Sequence, residues 1–339
     1  MKPKYLIFAD DTNITKLIKQ RLVSINLRDL RGIESDTVEI ILSDTDGEIV
    51  WPEHDVIIAV WLGYGDDDSQ YYDKGFFVID ETEHSGPPDQ LIIRGRADNY
   101  LEQLKTPKTR SFHQQTLGQI VATIAGENEL DPAIGLTLKD VMIEHIDQTE
   151  ESDLNFLTRL AIRHDAVCKS VIGDGSARLR FSKRGAGEKP DGTEMDVINI
   201  RRNQADQHSY SVKGRSDYSG VRCYWNNKKF ARRNEVLIGS KTKLKTLKST
   251  LPTKEQAYES AKAEFDRLKR GTKTIELDLA HGDPSLIAEA RVKLDGWRDE
   301  MNIVWIVTEV EHNLDAKEGL STHLKLEQPN SEKDNEKIN

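Results

Sequence analysis

The sequence predicts a mainly β protein with a small α/β insert, in the order β-rich unit, α/β unit, β-rich unit. Three observations carry this prediction. Apolar residues alternate with polar ones or form short strand-like runs through most of residues 37–97, recur at helical spacing in 116–128 and 153–164, and alternate again in 274–328. A chain of 339 residues is long enough for two or three domains.

The first unit is predicted from four strand-forming runs. "TVEIIL" places Val38, Ile40 and Leu42 on one face, and "DVIIAVWLGY" is apolar nearly throughout, as in a strand buried on both sides. Upstream, the apolar residues of 14–22 fall at helical spacing and predict a short helix, although its place beside strands leaves the assignment open. The four runs are 37–42, 55–64, 75–84 and 90–97.

The insert is predicted to begin with the helix "TLGQIVATIAGEN" (116–128), where Thr116 and Gln119 form a capping-box pair. The stretch "ESDLNFLTRLAIRHDAVC" (151–168) supplies the next helix. Two short strands near 166–172 and 177–182 close the unit, and a Gly/Pro-rich linker follows at 183–194.

That stretch also holds Ser152, His164 and Cys168, the residue types of a nucleophilic active site. In a helix, Ser152 and His164 would lie about 18 Å apart, whereas Ser–His catalysis needs about 3 Å. We therefore interpret Ser152 as the N-cap, and Asp153 and His164 as groups matched to the helix dipole. Cys168 is interpreted as a small buried hydrophobe. This part of the chain is predicted to be scaffold.

The second β-rich unit surrounds one helix at 253–271. Thr253 caps that helix, Gln256 completes the capping box, and Gly271 ends it. In "TIELDLA" the apolar residues alternate, with Ile275 and Leu277 facing inward. The predicted strands lie at 210–215, 220–225, 274–280, 290–296, 303–314 and 321–328.

The predicted boundaries follow from these changes in pattern. The first β-rich unit covers 1–108, the α/β insert 109–190 and the second β-rich unit 191–329. Residues 330–339 form a polar tail predicted to be disordered.

Charge is unevenly distributed. The chain has a net charge of −10, and residues 1–100 alone carry 10 basic and 20 acidic side chains. Residues 222–254 carry 10 basic side chains and one acidic. The basic strip, residues 226–254, fits a solvated face or long loop, a protein contact, or nucleic-acid binding through phosphates and stacking. Its candidate contact residues are Lys228, Lys229, Arg232, Arg233, Lys241, Lys243, Lys245 and Lys248.

Other functional classes find little support in the sequence. No glycine-rich phosphate loop, HExxH or GxSxG motif is present, so we predict no catalytic residue and no cofactor. His312 and His323 could face each other across the last hairpin, but further zinc ligands are not apparent, so no metal site is predicted. No apolar run is long enough to span a membrane. Two cysteines, Cys168 and Cys223, make no disulfide framework.

Four segments in a fixed order resemble the phage late control protein D family. These proteins are baseplate hubs of contractile tails, related to the hub portion of type VI secretion spike proteins. The segments are "KGFFVIDETEHSGPPDQLIIRGRA" (74–97), "TLGQIVATIA" (116–125), "ESDLNFLTRLAIRHDA" (151–166) preceded by "IDQTE", and "WIVTEVEHNLDAKEGLSTHLKLE" (305–327). The resemblance spans roughly residues 5–328.

The resemblance implies a homotrimeric scaffold without catalytic residues. Each subunit would carry two tail-tube-like β-barrel domains flanking the small α/β domain, so that three subunits present six barrels. The ring would join the six-fold tail tube to the three-fold tail spike protein. Its other partners would be the tape-measure protein inside and baseplate wedge proteins outside, with no membrane and no specific nucleic-acid binding. The implied location is the virion tail baseplate, after assembly in the bacterial host cytoplasm.

Two further hypotheses and two rivals follow. The acidic first unit and the basic strip would be complementary between neighbouring subunits, and the channel wall would be acidic. The rivals are a cell-wall-degrading glycosidase at a tail tip, which needs two carboxylates across a cleft, and a nucleic-acid-binding module using residues 226–254.

Overall fold

The computed structural model shows a chain dominated by β-strands, as the alternation of its sequence predicts. No helix among the described residues has the length and apolar character needed to cross a bilayer. The structure describes residues 2–32, 35–53, 55–65, 70–97, 103–173, 176–187, 189, 193, 195–203, 205–213, 218–227 and 232–329.

The first hundred residues form strands and one helical turn. Alternation explains β4 well, because Val38, Ile40 and Leu42 are all buried. The helix predicted at 14–22 is wrong beyond Ile18, since Leu22 instead begins a strand that pairs with two neighbours. The elements are β1 (Pro3–Ala9), β2 (Thr12–Asn13), α1 (Thr15–Ile18), β3 (Leu22–Leu30), β4 (Thr37–Ser43), β5 (Ile57–Tyr64), β6 (Tyr71–Ser85) and β7 (Gln90–Arg96).

The middle of the chain alternates strands with helices. The predicted capping box is confirmed: Thr116 Oγ1 accepts from Gln119 N, and the Gln119 side chain accepts from Thr116 N. The elements are β8 (Pro107–Thr116), α2 (Leu117–Glu127), β9 (Asp131–Ile134), α3 (Leu136–Lys139), β10 (Met142–Ser152), α4 (Asp153–His164), β11 (Ala166–Gly173) and β12 (Ser176–Lys183).

The last third returns to strands around one long helix, whose N-cap is Thr253, as predicted. Ile275, Leu277 and Leu279 are buried, which confirms the inward face of "TIELDLA". The elements are β13 (Val197–Arg201), β14 (Gln207–Val212), β15 (Gly220–Asn227), β16 (Arg232–Gly239), β17 (Leu244–Leu251), α5 (Lys254–Arg270), β18 (Lys273–Leu279), β19 (Arg291–Asp295), β20 (Val304–Asp315) and β21 (Gly319–Glu327).

One sheet crosses both β-rich regions. Its main path runs β14-β18-β21-β20-β3-β4-β7-β6-β5-β1-β2, with β19 pairing with β20 and β13 beside it. The antiparallel pair β3–β20 joins the two regions. Within the described part of the chain, this path has open ends and closes no barrel. The smaller sheets are β10-β8, β11-β12-β9 and β16-β15-β17.

The buried apolar residues fall into clusters that follow these sheets. The insert packs α2 and α4 on one core, and α5 covers one face of β16-β15-β17. The core of the first region also includes Leu314 and Leu320 from the last hairpin. The final hairpin therefore packs into both large β cores. The predicted domain boundaries remain a proposal.

Candidate assembly surfaces

The polar side of the large sheet forms one charged surface that crosses both β-rich regions. It arises because inward apolar residues alternate with outward polar ones along each strand. This surface carries seven carboxylates and three permanently charged cations, so its net charge is negative. We call this surface the acidic sheet face and define it by Arg28, Glu39, Glu81, Glu83, Arg94, Glu276, Asp278, Glu309, Glu311, His323 and Lys325.

Arg94 organises the part of this face that the first region supplies. Its Nε donates to Glu39 at 2.7 Å, and its Nη1 donates to Glu81 and Glu83 at 2.9 and 2.8 Å. These partners lie on β4 and β6, on either side of the strand that carries Arg94. One guanidinium therefore holds three carboxylates, and the patch keeps an excess of negative charge.

Glu309 organises the adjoining part, where the two regions meet. Arg28 on β3 and Lys325 on β21 donate to it at 2.8 and 2.9 Å. Burial acts to raise the pKa of Glu309, but the hydrogen bonds from Lys325 and Arg28 outweigh that effect and lower it. The carboxylate therefore stays ionised, and the charged pattern continues across the β3–β20 junction.

The basic strip is not a long loop. Residues 232–239 and 244–251 are strands that flank β15, with α5 behind them. Lys228 and Lys229 lie outside the described residues. Arg232 and Arg233 lie on β16, Lys241 and Lys243 in the connection that follows it, and Lys245 and Lys248 on β17.

The described candidate contact residues differ in whether another side chain of the same chain contacts them. Lys245 Nζ donates to Glu264 on α5 at 2.6 Å, so it belongs to the packing of that helix. The Arg233 guanidinium lies over the Tyr224 ring, 3.7 Å from its centre. The remaining candidate side chains form no ion pair with a described residue, and all of them are exposed. They are Arg232, Lys241, Lys243 and Lys248.

Ser152, His164 and Cys168, the residues of nucleophilic type, have structural roles. Ser152 Oγ accepts from Asn155 N at 3.2 Å as the N-cap of α4, as predicted. His164 ends the same helix, but burial lowers its pKa to about 4, so the prediction of a cation matched to the dipole is wrong for this residue. Burial also raises the pKa of the Cys168 thiol to about 12. A thiol with so high a pKa is rarely ionised and is therefore a poor nucleophile.

Asp153 is a buried charge, and the sequence predicts only that it lies in the first turn of α4. Its carboxylate is fully buried. Lys108 and Gln148 donate to it at 2.7 and 2.8 Å, Asn128 at 3.1 Å, and Arg110 also contacts it. Burial acts to raise its pKa, but the hydrogen bonds outweigh burial and lower it. The site fixes the start of α4 onto β8 and β10.

His312 and His323, which could have faced each other across the last hairpin, do not do so. In the register of the last hairpin, His312 lies opposite Thr322, and His323 lies opposite Glu311 on the other face. His312 is buried, whereas His323 lies 2.6 Å from Asp278 on the acidic sheet face. No group of three His, Cys, Asp or Glu side chains suited to a metal occurs among the described residues.

Comparison with known proteins gives a consistent result. The sequence pattern of the family described as phage tail baseplate hub (GPD) matches residues 79–317. A probable baseplate hub protein of Escherichia phage 186 is 30% identical, and one of Escherichia phage P2 is 31% identical. Each alignment covers 96% of this chain and 93% of the relative.

The fold has a counterpart among solved structures. The 43 kDa tail protein of prophage MuSo2 from Shewanella oneidensis superposes with a TM-score of 0.70, at 12% identity. That similarity covers 97% of this chain and 99% of the other. It extends to both β-rich regions and the insert between them.

Proposed function

Because the chain belongs to the phage tail baseplate hub (GPD) family, we propose that three copies form a closed ring joining the six-fold tail tube to the three-fold spike. Family membership makes the chain a structural component of the virion's tail baseplate and not an enzyme. The alternative of a cell-wall glycosidase is therefore wrong.

The observation that carries the ring proposal is the continuous sheet from β14 to β2. One subunit supplies two β-rich regions side by side, so three subunits supply six, which matches a six-fold tube. The sheet has open ends, and open β edges need cover or a partner. In a closed heterologous ring, one end of each subunit meets a different end of the next. Each region would then act as a tail-tube-like barrel domain, with boundaries at 1–108 and 191–329.

The acidic sheet face is proposed to line the channel of this ring. Both large β cores lie on the opposite side of the same sheet, so this face is free to meet the lumen. A net negative wall repels the phosphates of DNA and reduces adhesion during its passage. The tape-measure protein would occupy the same channel before ejection.

The exposed cations of the basic strip are proposed to contact an acidic surface of the neighbouring subunit. The first hundred residues carry the needed negative charge, with 20 acidic and 10 basic side chains. Complementary charge guides the correct heterologous contact and opposes like-with-like docking. The spike, tube and wedge proteins complete the proposed set of partners, with assembly in the host cytoplasm.

The solution mass of the full chain tests the ring proposal. Light scattering after size-exclusion chromatography should give about 115 kDa, three times the subunit mass of 38.5 kDa, either alone or after addition of the spike protein. A monomer under both conditions would contradict the trimer.

A further inference from the structure

A cavity of about 270 Å³ lies where the first β-rich region, the insert and the second β-rich region meet. Strands β3, β6, β11 and β20 contribute to its wall, as does the segment before β19. Apolar side chains cover much of the wall. They include Leu27, Phe77, Ala97, Val167 and Ile287.

Arg31 supplies one unused donor to this cavity. Its Nε contacts Glu289 and its Nη1 contacts Glu327, so two edges of the guanidinium are paired. The side chain is only 7% exposed, and neither Nε nor Nη2 has a hydrogen-bond partner among the described residues, although Nε has its ion-pair contact with Glu289. A buried donor left unpaired costs free energy, unless water or a ligand accepts from it.

Lys74 supplies a second unused donor. Its Nζ donates to Leu286 O at 3.2 Å and lies 3.1 Å from His312 Nε2. An ammonium has three N–H groups, so these two partners leave one N–H over. No carboxylate forms an ion pair with Lys74 among the described residues. Burial lowers its pKa to about 8, while attraction from Asp29, Asp283 and Asp73 opposes that shift.

The acidic groups around the cavity are already engaged. Lys169 holds Asp29 and Asp36 at 2.6 and 2.8 Å. Asp29 also accepts from Ala288 N, at 2.7 Å. Glu289 accepts from Gly185 N at 2.9 Å as well as contacting Arg31. Asp73, also in the wall, accepts from Gly75 N at 2.8 Å. Glu289 Oε1 contacts Arg31 but accepts no hydrogen bond from a described residue, so unused donors on Arg31 and Lys74 lie in the same wall as one unused acceptor.

We propose that this cavity binds a carboxylate, with Lys74 Nζ donating to one of its oxygens and Arg31 in the wall of the same cavity. A charge-assisted hydrogen bond from Lys74 would satisfy the N–H group that its two protein partners leave over. The apolar wall would cover the carbon part of the ligand. The carboxylate can come from a free small acid or from an acidic side chain of a neighbouring protein chain.

The experiment titrates the isolated full-length chain, labelled with ¹³Cε-lysine, with acetate, and in parallel with acetamide as the neutral isostere. Acetate should shift the Lys74 resonance saturably in the millimolar range, and acetamide should not. Lys74→Met should weaken acetate binding at least about tenfold, whereas Lys139→Met, at an exposed lysine on α3, should leave it unchanged. If Lys74→Met fails to fold, the wild-type comparison of acetate with acetamide decides the matter.

Equal responses to acetate and acetamide, or no response, would overturn the proposal and mean that the cavity holds only water. Repeating the titration on the assembled trimer, with its mass measured on the same sample, separates the two sources. An acetate response lost on assembly indicates an acidic side chain from a neighbour, and a retained response indicates a free acid. The first titration does not depend on trimer formation, so it tests the cavity separately from the ring.

Discussion

The carboxylate of Asp165 binds the guanidinium of Arg270 through both of its oxygens, although 105 positions separate the two residues. Asp165 ends α4 in the insert in a left-handed conformation, and Arg270 is the last residue of α5. Both side chains are 2% exposed. Arg270 Nε also lies 3.2 Å from Glu327 on β21. This buried pair ties the insert to the second β-rich region.

Breaking this pair from one side should be costly. Asp165→Asn keeps a residue that tolerates the left-handed conformation, but removes the negative charge that both Nη groups of Arg270 contact, so that Glu327 at Nε remains. We expect a loss of about 3–5 kcal/mol in the free energy of unfolding, measured by urea denaturation. The double variant Asp165→Asn/Arg270→Met should lose less than the two single losses combined. Additive losses would show that the pair is not coupled.

Acid should weaken the insert through Asp153. Its folded pKa lies below the ordinary value, so its contribution is present above the unfolded pKa and is lost as pH falls through the folded pKa. Asp153→Asn should lower stability at pH 7 by about 3 kcal/mol and should flatten the decline below pH 4. Urea midpoints between pH 7 and pH 3 measure both effects, and parallel curves for the two proteins would refute this role.

The two cysteines should be unreactive in the folded protein. Burial raises the pKa of both thiols, to about 12 for Cys168, and the thiolate is the reactive form. Ellman's reagent at pH 8 should label neither thiol in native protein and both in urea. Rapid labelling of Cys168 in native protein would contradict its assignment as a buried hydrophobe.

Charge reversal in the basic strip should weaken assembly. Lys241, Lys243 and Lys248 are exposed and unpaired among the described residues, so changing all three to Glu should leave the fold intact while reducing the trimer fraction. Changing all three to Arg keeps the charge and is the matched control. Native mass spectrometry at two salt concentrations measures the fraction. An unchanged trimer fraction in the Glu variant would reject this contact. If the wild-type protein binds DNA in a salt-sensitive way and the Glu variant does not, nucleic-acid binding by the basic strip would be favoured instead.

Local signals in the sequence predicted the helices well, because caps and apolar spacing act within a few residues. Thr116 with Gln119, Ser152 and Thr253 all mark helix starts where the structure has them. Two short helices are exceptions: α3 was not predicted, and the helix predicted at 14–22 is too long. There, long-range pairing of β3 overrides a short helical period, and the helix stops after one turn.

Long-range relationships could not be predicted from one sequence. Nothing near Arg28 indicates that it binds Glu309, 281 positions away, across the junction of the two regions. Asp153 was recognisable as a first-turn acid, but its partners come from β8, β10 and the end of α2. The alternation in "TIELDLA" does predict that Glu276 and Asp278 face outward, whereas the order of strands that makes one acidic face does not follow from it.

A cryo-electron microscopy reconstruction of the hub in an assembled tail would show which way the acidic sheet face points in the ring. We expect a three-fold ring whose lumen is lined by the acidic sheet face, with Glu81, Arg94 and Glu309 toward the channel. A ring with this face turned outward or buried against another protein, or a lumen lined by β15–β17, would contradict it.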